Sequence, residues 1–246
     1  MEHPILFISV ILEMVGPEKV GHVLHNLTGV GLWDPIRVFL PHMTYTWLVM
    51  AFLILIPKLT MGKMEMIPGK GQNFWEAVIS GMEGFMADNM GKEGAKMMFP
   101  MLATFAMYIL VANMVGLMPG FMSPTSNLNI TLGMTLIVFT TTHILGLKFH
   151  GAGYVKHFLG PIPWLIPLML PIELISHFAR ILSLSIRLFG NIMAKETLLG
   201  ILFMLAGAYF APLPILCLGV FVSIVQALVF VLLSILYFSA SMEHAH

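Results

Sequence analysis

Charge is scarce in this chain. Asp, Glu, Lys and Arg make up 10% of its 246 residues, against about one-quarter in soluble domains. Twelve basic residues balance twelve acidic ones, so nucleic acid, which needs a basic face, is not an expected partner. Cysteine is reduced to Cys217, which excludes a disulfide within the chain and reads as a small core residue. No glycine loop ending in Gly-Lys-Ser/Thr occurs, and no His-Glu-x-x-His motif. Neither nucleotide chemistry nor metal catalysis is therefore expected here, and no cofactor. The pairs His22/His25 and His244/His246 lie in polar terminal regions and read as solvated. Glu2 and His3 precede the first apolar run where a signal peptide would carry basic residues, so a cleaved leader is not expected. No Arg- and Ser-rich transit segment and no internal repeat is visible.

What fills the chain is apolar. Hydrophobic residues make up 58%, mean hydropathy is +0.91, and several apolar runs approach the ~20 residues that cross a bilayer. The fold expected is an all-α polytopic membrane domain over 1–246. Residues 1–41 form a mixed N-terminal segment, with a short membrane-associated helix over Ile5–Val15 and polar surface over Pro17–Asp34. Upright membrane spans are expected over 44–59, 98–118 and 128–147. Between the first two, Glu76, Ser80 and Glu83 recur at helical spacing opposite Trp75, Ile79, Met82 and Phe85. That pattern predicts an amphipathic interfacial helix over 74–90. Lysines cluster at 58–70 with 92–96, and again at 148–156, whereas 119–127 carries none. The positive-inside rule puts the lysine-bearing connections in the cytoplasm and 119–127 outside. From 161 to 241 the sequence is apolar with few breaks; Pro212 and Pro214 mark a turn, so a long helical hairpin is expected. Its first helix should begin irregularly among Pro161, Pro163 and Pro167 and run from about Pro171 to Met204.

The hairpin holds the informative residues. Glu173, Arg180 and Arg187 lie seven apart, about two helical turns. Ser176, His177, Ser183 and Asn191 fill the intervening i+3 and i+4 places, making one polar stripe on an otherwise apolar helix. Such a stripe must face protein or water. Arg187 stays protonated, and a cation at this depth costs at least ~2.5–3.5 kcal/mol. Glu173 can pair with Arg180, but no acid lies three or four residues from Arg187, so its counter-charge must come from elsewhere. Glu196 stands nine residues beyond Arg187, roughly 180° around the helix at ~100° per residue. Two carboxylates thus flank one fixed cation, ~21 Å before it and ~13 Å after it. That suits two ion paths divided by a barrier. A locking stripe of buried ion pairs is the structural alternative for the set, and an i,i+1 neighbour of Lys195 at a helix end is the alternative for Glu196. On the second hairpin helix Gly219, Ser223 and Gln226 form a sparser stripe. An antiparallel return brings Gln226 toward the Arg187 region, with offset or curved helices.

At these residues the chain resembles subunit a of the F-type ATP synthase, the stationary ion-channel subunit of the membrane sector. The segment Pro171 to Asn191, ending Arg187-Leu188-Phe189-Gly190-Asn191, carries the resemblance. Gln226-Ala227-Leu228-Val229-Phe230, the ending from Tyr237 to His244, and Asn113 followed by Gly116-Leu117-Met118-Pro119 are also similar. The resemblance implies a rotor ring of c subunits opposite Arg187, b-type peripheral-stalk partners, and a multi-pass location in a bacterial plasma membrane, an organelle-encoded homologue being the other host. It implies that the hairpin lies tilted against the ring. Arg187 would be the essential arginine, assisted by Asn191 and Gln226. Glu196 would serve the outer half-channel; Glu173, Ser183 and His177 the cytoplasmic one; Arg180 and Asn113 would line the route. The chain departs from the pattern where Gly219 replaces a histidine that partners the residue equivalent to Glu196, where Gly116 replaces an acid, and where Ile181 replaces a proline. Selectivity between H⁺ and Na⁺ would rest largely on the rotor carboxylate. The other functional class is a secondary transporter with a charged midplane site. Inverted repeats or paired broken helices would favour it, and a copurified ring of carboxylate-bearing hairpins would exclude it.

Overall fold

A computed structural model describes residues 35–61, 68–118, 121–151, 166–206 and 212–242. The elements are α1 (Pro35–Met61), α2 (Lys70–Val115), a 3-10 turn (Pro124–Ser126), α3 (Leu128–His150), α4 (Ile166–Ala206) and α5 (Leu213–Met242). No strand occurs among the described residues. The fold is all-α, and α1, α2, α3 and α5 are long and apolar enough to cross a membrane. The expected helix at Ile5–Val15, the surface at 17–34, the proline-rich stretch 161–165 and the polar tail after Met242 lie outside the described residues.

Two boundaries differ from the sequence expectation. Helix α1 already begins at Pro35, ahead of the expected start at 44, and has 27 residues. Helix α4 begins at Ile166, so Pro171 lies inside it and does not open it. Proline has no N–H, so it removes one ladder bond there without ending the helix.

Helix α2 is broken at Gly91, whose φ of +77° and ψ of 159° are not helical. A positive φ is cheap only for glycine. The break divides Lys70–Met90 from Lys92–Val115 and lets the two parts take different directions. On the first part Glu76, Ser80 and Glu83 are exposed, while Met86 is buried. The second part supplies Leu102, Ile109 and Ala112 to the core. They meet Phe230, Val231, Ile235 and Phe238 of α5, with Phe105 edge-on to Phe230 at 5.9 Å.

Asn127 caps α3 by accepting a bond from the Asn129 N–H at 2.9 Å. Helix α3 packs between α4 and α5. On α4 the buried positions Leu184, Leu188, Ile192, Lys195 and Leu199 recur at helical spacing. One of these five is a lysine. With 41 residues at ~1.5 Å each, α4 is ~61 Å long, about twice the ~30 Å hydrocarbon thickness. Helix α4 is therefore longer than one upright crossing requires.

Candidate ion path

Arg187 projects from the exposed face of α4. Its Nη2 donates to Ser183 Oγ at 3.3 Å, one turn back. No carboxylate lies within 4.0 Å of it among the described residues. Ile186 is exposed beside it, and from Gly190 onward Met193, Ala194, Thr197, Leu198 and Ile201 line a shallow, almost wholly apolar surface. Asn191 and Ser183 are exposed with it. A permanent cation thus sits on an exposed face that is otherwise mostly apolar, with a hydroxyl and an amide as its polar neighbours on the helix.

Helices α4 and α5 run antiparallel in a readable register. The Arg180 guanidinium lies over the Tyr237 ring at 5.5 Å, and Lys195 Nζ donates to Ser223 Oγ at 3.3 Å. The partners' numbers thus add to 417 or 418, which sets Gln226 opposite Asn191–Ile192 and Phe230 opposite Arg187. Gln226 is buried one helical turn beyond Arg187, toward Glu196.

Glu196 points away from Arg187, into the 3-10 turn. Its Oε1 accepts the Ser123 N–H at 2.7 Å. Ser123 Oγ and Thr125 Oγ1 are 2.7 Å apart, and Thr125 Oγ1 donates to Asn113 Oδ1 at 2.5 Å. Lys195, 8% exposed, enters the same cluster from the next position on α4. Besides Ser223 it donates to the Asn113 carbonyl at 3.3 Å. Asn113 Nδ2 and, on α1, His42 Nδ1 are buried without a protein partner. Leaving such a group unpaired costs ~1–3 kcal/mol, and ordered water is the usual remedy. Five elements thus wall one polar pocket around a carboxylate.

Glu173 lies at the other end of the stripe. Its Oε1 is 3.4 Å from His177 Nε2, so it pairs with the histidine, and Arg180 turns to Tyr237. The two acids consequently occupy unlike settings, a backbone-bonded pocket for Glu196 and an imidazole contact for Glu173.

The sequence of the whole chain can be set beside known proteins. Residues 43–239 match the family model described as ATP synthase A chain. The chain belongs to this family. Over all 246 residues, and over the full length of each relative, it is 65% identical to ATP synthase subunit a of Desulfotalea psychrophila, 50% identical to that of Desulfosudis oleivorans and 49% identical to that of Syntrophobacter fumaroxidans.

Two glycines border the pocket around Glu196 at close range. A Cβ at Gly116 would lie 2.7 Å from Ser123 Cβ and 2.9 Å from Glu196 Oε1. An acid there would compete with Glu196 for the same space. A Cβ at Gly219 would collide with Leu117 and lie 3.1 Å from Lys195 Cδ. The end of Leu117 and, less closely, the lysine stem thus fill the place that a side chain at 219 would take. Gly116→Ala is expected to destabilise the protein by about 1–3 kcal/mol through overpacking. A lower unfolding temperature in detergent checks this, and an unchanged one refutes the close approach.

The alternative for Glu196, an i,i+1 neighbour of Lys195 at a helix end, does not hold: Lys195 is mid-helix and buried. Sequence reasoning did not assign Ser123, Thr125, His42 and Ser223 to a site. The only signal was the spacing Gly219–Ser223–Gln226, which identified a helix face without its occupant.

Proposed function

We propose that this chain is the stationary proton-carrying subunit of an F-type ATP synthase, and that Arg187 separates two half-channels. The observation that carries the reading is the Arg187 cation, exposed on a mostly apolar face without an acid of its own. A mobile carboxylate on a rotor subunit is the partner that this surface lacks. Protons reach that carboxylate from the outer side by way of His42, Thr125, Asn113 and Glu196, and leave past Ser183, His177 and Glu173. Asn191 and Gln226, level with each other beside Arg187, offer uncharged donors and acceptors to the passing carboxylate. Arg180, held on Tyr237, lends positive potential to the inner route. Each elementary charge crossing 100 mV releases ~2.3 kcal/mol. Several protons must therefore cross for each ATP made, and a leak past the barrier wastes them all. The nucleotide chemistry belongs to partner subunits, and b-type stalk subunits hold this one still in the bacterial plasma membrane.

Sided thiol labelling tests the two paths. With Cys217 replaced by serine, Ser183→Cys is expected to react with a membrane-impermeant reagent added from the cytoplasmic side, and Ser126→Cys only with one added from outside. Both reacting from one side would overturn the half-channel reading. A transporter with a single midplane site predicts reaction from alternate sides at one position.

A further inference from the structure

A second histidine stands beside His177, on a different helix. The ring of His143, on α3, lies 5.1 Å from the ring of His177, on α4. Phe139 packs edge-on to both, at 4.2 Å from His143 and 5.8 Å from His177. His177 in turn reaches Glu173. Arg180, whose guanidinium lies on Tyr237 of α5, is also within electrostatic reach of His143. Helix α5 itself carries no charged residue, and Lys148 is exposed near the far end of α3.

Imidazole is the one side chain that exchanges protons readily near neutral pH. Two of them in contact, next to a fixed guanidinium, repel one another when both are charged. Protonating one therefore disfavours protonating the other. Proton exchange is the chemistry that two neighbouring imidazoles offer.

We propose that His143 and His177 form a proton-sharing pair that delivers each outgoing proton to Glu173, so that α3 as well as α4 builds the inner path. This rests on the proton-carrying function proposed above. The pair takes a proton from the Arg187 side, His177 passes it from Nε2 to the Glu173 carboxylate, and Glu173 releases it to the inner water. His177, now neutral, accepts the next proton from His143, and no charge is left behind.

The test uses the whole ATP synthase in inverted membrane vesicles, with ATP-driven pumping followed across pH. Wild type is expected to show a histidine inflection between about pH 5 and 8. His143→Gln and His177→Gln should each remove it and slow pumping at neutral pH by about tenfold, within the range of a lost acid–base group. The double variant should be no slower than either single one. His143→Leu, which keeps an apolar contact to Phe139 without a proton site, repeats the test if the glutamine variant does not assemble. Assembly is scored by copurification of the other subunits. An unchanged pH profile, or a uniform slowing with the inflection intact, assigns His143 to packing and overturns the proposal. Failure of wild type to pump protons at all would instead remove the function on which it rests.

Discussion

Replacing Arg187 by lysine is expected to cut ATP-driven proton pumping to below about one-hundredth of wild type, at least ~2.7 kcal/mol of barrier at tenfold per 1.36 kcal/mol. The substitution keeps the nominal charge, so the loss must come from how that charge is carried. Guanidinium is planar, stays protonated and can bind a carboxylate with two parallel bonds. Ammonium is a compact point charge that surrenders its proton readily when desolvated. On the mostly apolar face of Ile186, Gly190, Met193 and Ala194 little water is available to keep it charged. The Ser183 contact at 3.3 Å also depends on the reach and shape of the fork. Arg187→Ala should go further and, with the catalytic sector stripped away, let protons cross passively without rotation. Fluorescence quenching in inverted vesicles reads both effects. Wild-type pumping in the lysine variant would show that Arg187 is an ordinary anchor and not the divider between two paths.

The residues that the sequence disclosed and those that it concealed differ in a physical way. Helices announce themselves locally, by composition and by a 3.6-residue period. So does the stripe from Glu173 to Asn191, because its members share one helix. Glu196 facing away from Arg187 follows from the same rotation of ~100° per residue, and its bond to Ser123 agrees with that. The start of α4 at Ile166 was hidden because proline frequency argues against a helix, whereas tertiary packing tolerates a single missing N–H. Lys195 was hidden for another reason. Its burial is set by Gly219 and Ser223 on α5 and by Asn113 on α2, three positions that no spacing on α4 reveals. His143 is similar: it follows Thr140, Thr141 and Thr142 on α3 with no acid or second histidine at helical spacing before it, and only the α3–α4 contact brings it to His177. Local chemistry is legible along one helix, and chemistry shared between helices becomes visible only once they are packed.

That distinction makes the Lys195–Gly219 pair the sharpest test of the outer pocket. Gly219→His alone is expected to lose at least tenfold in pumping, since even its Cβ collides with Leu117 and presses on the lysine stem. Overpacking of this kind costs about 1–3 kcal/mol. Lys195→Gly alone should lose as much by another route. It removes the donor that ties α4 to the Asn113 carbonyl and Ser223, and takes away the one buried cation next to Glu196. Combining the two changes removes the lysine stem beside position 219, leaves only the flexible end of Leu117 to move aside, and supplies a new titratable partner for Glu196. The double variant should therefore pump about tenfold faster than either single one, a coupling of ~2.7 kcal/mol at tenfold per 1.36 kcal/mol, within the range found for residues in contact. Additive losses in that cycle would mean that Lys195 and Gly219 act independently, and that a glycine at 219 reflects close helix packing alone. Gly219→Ala separates the two cases further. If space is what matters, the methyl group by itself should reproduce part of the loss, and Lys195→Gly should relieve it.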